Sequence, residues 1–451
     1  MRSRWPDRSH GNHNPARIAS ITPLPIARDS RTFKAASSFA RLDYASVVVQ
    51  GAPGPSPSVS PLFELMTVGS GDHTEDGETV VTDPDNSSVQ DPITEFVPPP
   101  KRTRPGHFLP ISIQRLIFRA YASPFAYELR KYRNWAASYL QFLRDTYRSL
   151  PDADLYYLHA PHQFPAVYLA ARRRGVPFIY DAHDCYWLLP YDGRVLSLSD
   201  RWIFATERLV ERLCAKTAAA CVTVGDGVAA LHETRFKRPF AVVRNAQDTR
   251  MDEAPARSLR SLCGLNASDF VLVVVGNDKE RGIAITEAVD ALAQLPSDVH
   301  LVLLGTGYAD AAERARTLDL AGRVHRLPPV TPAAVNQLIA GADLAPILNF
   351  EVNANMRFAV PNRLFHSIAA GLPILYPPLP EIRSLAERHG FGLEFNPLSP
   401  DSLADAVRGL RADQTARADL ARRSVEARST INWEAGESRL ADVVAMALER
   451  R

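Results

Sequence analysis

The chain of 451 residues is poor in three features that define large classes of protein. It has four cysteines, none of them in a C-x-x-C pair, which argues against a disulfide framework or a structural zinc site. No run approaches the ~18 consecutive apolar residues of a membrane-spanning helix. The formal net charge is only +2, without the concentrated basic excess of a nucleic-acid-binding protein. We therefore expect a folded, reduced protein that stays in the cytoplasm and binds no nucleic acid.

Two segments lack the pattern of a folded core. Residues 1–16 carry charges without the apolar run of a secretory signal, and we expect them to form a disordered extension. Residues 51–106 are rich in proline, glycine, serine and acidic residues, so they bury too little apolar area to offset their ordering entropy. The composition predicts a flexible insertion, with one short strand near "ITEFV".

Elsewhere, short apolar runs alternate with amphipathic helical patterns. Runs rich in Val, Ile and Leu, such as "FVLVVVGN", are typical of strands buried on both faces. Their alternation with helices predicts an α/β protein with two doubly wound, Rossmann-like parallel sheets. We expect a first domain over 17–247, a second over 248–430, and a terminal helix over 431–451.

Residues 111–149 form a long helical pattern in which basic and aromatic residues interleave. Basic amphipathic helices with aromatic residues can lie on anionic membrane surfaces. The alternative is that the aromatic side chains belong to the core and the basic ones form its solvated face. Both interpretations remain open on the sequence.

Polar side chains follow two predicted strands of the first domain. "YLHAPH" places His159 at one strand end, and "YDAHDCYW" places His183 and Asp184 at another. Ligands of doubly wound sheets bind outside the carboxyl ends of the strands, so two such domains facing each other form a cleft there. Histidine and aspartate in that position can orient a hydroxyl or move a proton, and these three are the catalytic candidates.

Two loops of the second domain are candidates for binding a diphosphate. The first follows a buried strand and contains three polar residues, Asn277, Lys279 and Arg281. A flexible lysine and a forked arginine suit phosphate, although solvated loop charges are an equal alternative. The second loop contains Gly305 and Gly307, which allow a ligand close to the backbone. A dinucleotide fingerprint would need a third glycine where Asp310 stands, which argues against a nicotinamide cofactor.

"PNRLFHSIAAGLPIL" (361–375) predicts a short helix that begins after a proline and ends at a glycine. Asn362, Arg363 and His366 share one stripe, because they are three or four residues apart. The unpaired N–H groups of a helix N-terminus attract phosphate, so this stripe is expected to face an anionic ligand. The alternative for His366 is a partly buried packing histidine.

These motifs together resemble the family 4 glycosyltransferases, which have the GT-B fold. The resemblance covers roughly 17–50 and 150–451, and its strongest carrier is "PNRLFHSIAAGLPIL"; "GNDKERG", "VTVGDGVAALH", "VVRNAQD" and the terminal "NWE" helix support it. It implies an enzyme that transfers a sugar from a nucleoside diphosphate sugar, with retention at the anomeric carbon. It also implies no metal or other cofactor, and a terminal helix that crosses back onto the first domain.

The resemblance assigns further roles by position. Lys279 and Arg281 fall on the family's basic diphosphate loop, and Arg363 falls on a lysine of its donor-binding helix. His366 falls where the family usually has a glutamate that holds the donor ribose. The family's Glu-x7-Glu pair is absent, since Phe358 and His366 stand at those places.

The acceptor is less well defined by the sequence. Asp29 and Arg31, after the first strand, are the candidates for acceptor contact. A glycan, a lipid-linked or a small-molecule acceptor is expected, with peripheral membrane contact and a role in polysaccharide or cell-envelope synthesis. Two alternatives remain: a catalytically silent sugar-nucleotide-binding or scaffolding protein, and a GT-B epimerase that acts on the nucleotide sugar.

Overall fold

The computed structural model describes residues 15–54, 61–68, 124–188, 195–277 and 282–450. Within these residues the chain forms two lobes. Each lobe is built on a parallel sheet with buried apolar clusters on both faces.

The sheet of the first lobe has seven parallel strands in the described residues: β1 (Arg17–Thr22), β2 (Ala45–Gln50), β3 (Glu64–Thr67), β4 (Leu155–Leu158), β5 (Phe178–Ala182), β6 (Ala220–Thr223) and β7 (Ala241–Val242). Their spatial order is β3-β2-β1-β4-β5-β6-β7, which is a doubly wound arrangement. Side chains alternate between the faces of a strand. In β1, Ile18 therefore packs with Phe39 on one face. Ala19 and Ile21 pack with Val167 on the other.

The described helices of this lobe are α1 (Ser30–Arg41), α2 (Pro124–Ser149), α3 (Phe164–Arg174), α4 (Leu198–Thr217) and α5 (Asp226–Phe236). Local sequence determines several of their ends. The Asp29 carboxylate accepts a hydrogen bond from the Thr32 N–H at 3.0 Å and so caps α1. Helix α3 ends at Gly175, whose φ of 68° lies in the left-handed region that favours glycine.

The second lobe contains the strands β8 (Phe270–Asn277), β9 (Val299–Thr306), β10 (Val324–Leu327), β11 (Ala345–Pro346), β12 (Ile374–Tyr376) and β13 (Gly392–Glu394). They form two three-stranded parallel pieces, β10-β9-β8 and β11-β12-β13. A parallel bridge between Leu272 and Leu344 joins the pieces, and the Val273 N–H donates to the Leu344 carbonyl at 3.0 Å. The six strands therefore form one continuous order, β10-β9-β8-β11-β12-β13. As in the first lobe, later strands are added on both sides of the first strand, here β8.

The helices of the second lobe in the described residues are α6 (Leu259–Cys263), α7 (Ile285–Ala293), α8 (Ala309–Thr317), α9 (Pro332–Ile339), α10 (Ala354–Phe358), α11 (Asn362–Ala369), α12 (Pro380–His389), α13 (Pro400–Ala412) and α14 (Gln414–Arg428). Helix α11 is the helix predicted from "PNRLFHSIAAGLPIL". It begins directly after Pro361, and Gly371 just beyond its end has a φ of 72°.

The last helix, α15 (Trp433–Glu449), returns to the first lobe. Trp433 is 1% exposed and packs in one apolar cluster with Ile18 and Phe39. Its indole N–H donates to the Ser38 hydroxyl at 2.8 Å. The predicted fold class, two Rossmann-like lobes with a terminal helix crossing back, is confirmed.

The predicted insertion over 51–106 is too long. Residues 64–67 form β3, which pairs in parallel with β2 at the edge of the sheet. The Pro- and Gly-rich residues around the short run "PLFELMTV" conceal this strand in the sequence. The expected strand near "ITEFV" lies outside the described residues. So do nearly all of the predicted N-terminal extension and the first part of the helical pattern over 111–149.

Replacing Trp433 tests how strongly α15 holds the lobes together. We expect Trp433→Ala to lower the free energy of unfolding by about 3–5 kcal/mol, the usual loss for removing a buried aromatic side chain. Met446→Ala is the matched control on the same helix, because Met446 is 41% exposed. Denaturant unfolding of both variants measures the difference, and equal losses would contradict this packing role.

Candidate active site

Loops that follow strands of the two lobes meet across a cleft. Asn355 of α10 donates from its Nδ2 to Asp184 Oδ1 at 3.0 Å. The same amide accepts from the Cys185 N–H through its Oδ1, at 2.8 Å. Nearby, Asn245 Nδ2 donates to Asn362 Oδ1 at 2.9 Å. Polar side chains thus join the carboxyl-end loops of the first sheet to the helices of the second lobe.

Glu381 of α12 makes a further contact between the lobes. Its Oε1 and Oε2 accept from the N–H groups of Asp226 and Gly227, at 2.9 and 2.6 Å. These N–H groups lie at the N-terminus of α5, where the helix dipole favours a carboxylate. A Cβ on Gly225 or Gly227 would lie 2.8–2.9 Å from the Glu381 oxygens, so the glycines of "VTVGDGVAALH" let the carboxylate approach.

A buried ion pair supports the first-lobe wall of the cleft. Asp181, at the end of β5, is 1% exposed, and Arg31 of α1 is 3% exposed. Arg31 Nε and Nη2 donate to the two Asp181 oxygens at 2.9 and 2.8 Å, and Nη1 donates to the Val243 carbonyl at 2.7 Å. The Tyr157 hydroxyl donates to Asp181 Oδ2 at 3.0 Å. Both carboxylate oxygens are therefore occupied inside the lobe.

Two of the catalytic candidates lie against this pair. His159 Nδ1 and His183 Nε2 are 3.2 Å apart, and they lie 3.6 and 3.7 Å from Asp181 Oδ2. His159 is buried, whereas the His183 side chain is 22% exposed. His183 is thus the imidazole of the pair that reaches the cleft, and His159 lies behind it.

Burial and charge determine the protonation of this cluster. Burial would raise the pKa of Asp181, but Arg31 and His183 hold that pKa well below its ordinary value, so the carboxylate is ionised. Burial lowers the pKa of His159 to about 3, so its imidazole is neutral. The cluster can therefore orient the His183 ring against a hydroxyl in the cleft.

The same three residues, His159, Asp181 and His183, offer potential metal ligand atoms within 4.8 Å of one another. The donor set fits a metal poorly. Asp181 already accepts two hydrogen bonds from the Arg31 guanidinium, whose positive charge would repel a cation at this distance.

The remaining first-lobe candidates are Asp184, Asp29 and Arg31, and each has its own hydrogen-bond partners. Asp184 points to Asn355 of the second lobe instead of joining the histidines. Asp29 is buried and accepts from the hydroxyls of Thr22 and Thr32, at 2.7 and 2.6 Å. The hydrogen bonds of Asp29 and Arg31 lie within the first lobe, so neither is available for the predicted acceptor contact. The sequence could not reveal this. Helix capping and ion pairing favour Asp and Arg after a strand just as contact with a ligand does.

On the second lobe, β8 ends at Asn277, and Lys279 and Arg281 lie outside the described residues. Gly305 has a structural role: its φ is 142°, and a Cβ there would lie 1.8 Å from the Gly276 carbonyl oxygen. Gly307 follows with a φ of 92°. These glycines allow the ends of β8 and β9 to approach each other closely.

Helix α11 brings its polar stripe to the cleft, but the three side chains face different partners. Arg363 is 6% exposed, and its Nη2 lies 2.9 Å from the position that a Cβ on Gly276 would take, so this glycine makes room for the guanidinium. His366 Nδ1 lies 2.7 Å from Asn336 Oδ1 of α9. Asn362 is exposed and bonds to the first lobe through Asn245.

Sequence reasoning missed the residues that join or position these groups: Asn245, Asn336, Asn355 and Glu381. For the three asparagines, no local sequence pattern indicates such a contact. The signal available for Glu381 was its place in the first turn of a helix that follows a strand, "LPEIRS". The paired glycines of "GDG" were a second signal, because they predict a close approach to α5.

Two family models match the chain. A "Glycosyl transferase 4-like domain" matches residues 80–246, and a "Glycosyl transferase-like" model matches residues 281–435. No curated protein sequence matches the chain.

Solved structures match almost the whole chain at low identity. Sucrose-phosphate synthase from Thermosynechococcus elongatus is 14% identical with a TM-score of 0.62, over 97% of this chain and 100% of that one. HepE from Anabaena, solved in complex with UDP-glucose, is 15% identical with a TM-score of 0.60, over 95% and 99%. WaaG, a glycosyltransferase involved in lipopolysaccharide biosynthesis, is 16% identical with a TM-score of 0.61, over 94% and 99%.

These likenesses show the GT-B fold, and the two family models identify the chain as a glycosyltransferase. With the two family models, they show that the chain belongs to the family 4, group 1 glycosyltransferases. The resemblance carried by the sequence motifs is confirmed.

Removing Asp181 tests the buried ion pair. We expect Asp181→Ala to lower the free energy of unfolding by about 3–5 kcal/mol, because it leaves the Arg31 charge buried without its partner. Asp152→Ala is the control, since Asp152 is 92% exposed in its ion pair with Arg174 and such surface pairs contribute about 1 kcal/mol or less. Denaturant unfolding measures both. A loss for Asp181→Ala no larger than the control would refute the assigned role.

Proposed function

We propose that the protein transfers a sugar from a nucleoside diphosphate sugar to an acceptor hydroxyl, with retention and without a metal or other cofactor. The observation that carries the proposal is a cleft with an imidazole on one wall and an arginine at a helix N-terminus on the other. His183 lies on the first wall and Arg363 on the second. HepE, a structural neighbour, is solved with UDP and with UDP-glucose, which supports a nucleotide-sugar donor.

The second lobe would bind the donor diphosphate. The Arg363 guanidinium lies at the end of β8, and Arg363 itself belongs to the first turn of α11. Fixed donors of this kind stabilise the negative charge that develops on the leaving diphosphate. Lys279 and Arg281 would add charge by their position in the family's basic loop. Asn277, at the end of β8, would contribute a polar side chain, and Gly305 and Gly307 would allow the backbone to approach the donor.

The first lobe would orient the reacting hydroxyl. His183 is the exposed member of the histidine pair, and Asp181 and His159 position it from behind. Contacts from Asp184, Asn245 and the α5 N-terminus to the second lobe keep the cleft narrow. A closed cleft excludes water and so suppresses hydrolysis of the donor.

Turnover assays with UDP-glucose test this function directly. Sugar transfer to an acceptor, with the product anomer read by NMR, is the expected result. Nucleotide binding without turnover on any acceptor would instead support a catalytically silent protein. Conversion of the donor sugar in the absence of an acceptor would support an epimerase.

Replacing Arg363 tests the diphosphate site. We expect Arg363→Ala to weaken UDP binding by roughly 1–3 kcal/mol, the range for hydrogen bonds to a charged group. Arg388→Ala, at an exposed position of α12, is the control and should bind UDP like the wild type. Calorimetric titration measures both, and unchanged affinity in Arg363→Ala would refute the site.

We also propose that the acceptor is lipid-linked or polymeric and that α2 contacts an anionic membrane from the cytoplasmic side, in cell-envelope or polysaccharide synthesis. Leu129 and Leu140 of α2 are 49% and 66% exposed. Arg133 and Arg144, also exposed, lie four residues after each leucine and so share its face. Apolar and basic side chains on one helix face suit binding to anionic lipid. None of the described helices is long and apolar enough to span a membrane.

Charge reversal on α2 tests this contact. We expect Arg133→Glu with Arg144→Glu to reduce co-sedimentation with phosphatidylglycerol vesicles at least about tenfold, because each basic residue contributes about 1 kcal/mol near an anionic surface. Arg316→Glu with Arg326→Glu, at exposed positions of the second lobe, is the matched control. Equal binding of the two double variants to these vesicles would contradict the proposal. So would equally strong binding of the wild type to vesicles made only of neutral phosphatidylcholine.

A further inference from the structure

The segment that carries His183 to the cleft is short and is held from two sides. Residues 183–188, called here the His183 segment, run from the end of β5 through a 3-10 turn over Tyr186–Leu188. From the second lobe, Asn355 bonds to the Asp184 carboxylate and to the Cys185 N–H. On the other side the segment packs into the first lobe, where Cys185 is completely buried. The position of His183 therefore depends on what lies beneath this segment.

Glu211 of α4 lies beneath the His183 segment. The residue is 0% exposed, and its Oε1 accepts from the Tyr180 hydroxyl at 3.2 Å. The Trp187 backbone, within the segment, also forms a hydrogen bond to the carboxyl group. Oε2 is buried and has no hydrogen-bond partner among the residues that the structure describes. A carboxyl group is thus enclosed between β5, α4 and the segment, with one oxygen unpaired.

The surroundings of Glu211 supply little positive charge. The titratable groups that face it come from β5, the His183 segment, α4 and α5: Tyr180, Asp184, Cys185, Tyr186, Cys214 and Arg235. Burial raises the pKa of both thiols and both phenols, so these four groups are neutral at pH 7. Arg235 is the one cation in this set, and its guanidinium lies over the Trp187 ring, 5.3 Å from the centroid. The negative charge of Asp184 opposes it.

The buried histidine on the same side of the segment adds no positive charge. His232 of α5 is 0% exposed, and its Nε2 lies 4.0 Å from Cys185 Sγ. Burial lowers the pKa of His232 to about 4, so the ring is neutral at pH 7. An ionised Glu211 would therefore be a buried charge without a paired cation.

A neutral carboxylic acid is far less costly to bury than an unpaired carboxylate. Burial accordingly raises the pKa of Glu211 to about 8, although the hydrogen bonds from Tyr180 and Trp187 favour the ionised form. At neutral pH the group carries its proton.

We propose that protonated Glu211 is a positioning residue for His183, because it allows the His183 segment to stay packed against α4. Once the proton is lost, only water can solvate the charge, and water reaches it when the segment moves away. That movement displaces the His183 imidazole and weakens the contact of Asp184 with Asn355. The role of His183 comes from the proposed function, on which this inference rests.

The first experiment measures urea unfolding of the wild type and of Glu211→Gln from about pH 5 to about pH 9.5. A carboxyl whose pKa is higher in the folded than in the unfolded chain makes the folded state lose stability as pH rises between the two values. We expect the unfolding constant of the wild type, divided by that of Glu211→Gln, to rise by about tenfold per pH unit below pH 8 and to level off above it. Glu313→Gln, at an exposed position of α8, is the control, and its ratio to the wild type should not depend on pH.

The second experiment follows the His183 ring by NMR of ¹⁵N-histidine-labelled protein, with His183→Gln to assign the signals. We expect a change of the His183 signals near pH 8 in the wild type, separate from the titration of the ring itself, and no such step in Glu211→Gln. In Tyr180→Phe the step should move to higher pH, because the lost hydroxyl favours the ionised carboxylate. A merely structural role of Glu211 would change the stability without producing this step.

Turnover of UDP-glucose connects the step to the reaction. We expect kcat of the wild type to fall above about pH 8 and kcat of Glu211→Gln to persist there. The affinity for UDP should be the same in both proteins, because Arg363 lies on the other lobe.

The outcomes separate the two claims. A stability ratio that is independent of pH, or an identical His183 step in the wild type and in Glu211→Gln, would overturn the role of Glu211. A step near pH 8 without a matching loss of kcat would also overturn it. Failure to bind or turn over a sugar nucleotide would refute the proposed function, while the first two experiments need no ligand and still decide whether Glu211 holds the segment. If Glu211→Gln unfolds, the shifted step in Tyr180→Phe gives the same decision.

Discussion

The buried ion pair between Arg31 and Asp181 is the interaction on which the candidate site depends. It joins α1, the end of β5 and the loop after β7, since Arg31 also donates to the Val243 carbonyl. It also provides the fixed negative charge beside which His159 and His183 meet. Without it, the carboxyl ends of the central strands would carry the same residues but no defined orientation for the imidazole that reaches the cleft.

The cleft itself follows from the connection between the lobes. Parallel strands place all their following loops on one edge, and in both lobes that edge carries the polar residues of the site. Helix α15 anchors the end of the second lobe to the first through Trp433, while Asn355, Asn362 and Glu381 bond directly across the gap. The arrangement holds two walls of different chemistry together: an imidazole cluster, and a helix N-terminus with an arginine.

The sequence predicted the fold more completely than the site. Strand runs such as "FVLVVVGN" and the capping residues around α11 are local signals, and they sufficed for two doubly wound lobes. The edge strand β3 was missed because its short apolar run lies within a stretch of Pro and Gly. In the site, His159 and His183 were recognised because they follow strands. Asp29 and Arg31 follow a strand too, yet their hydrogen bonds lie within the first lobe. Only tertiary packing distinguishes such structural residues from residues that reach the cleft. Contacts made by Asn336 or Glu381 depend on tertiary distances that no local pattern contains.

The central claim is that a nucleoside diphosphate binds between the lobes with its phosphates on the second. A crystal structure of the protein with UDP tests it most directly. We expect the diphosphate within hydrogen-bonding distance of the Arg363 guanidinium and of the first N–H groups of α11, with His183 facing it across the cleft. A diphosphate bound elsewhere, with Arg363 still buried against Gly276 and untouched, would contradict the account.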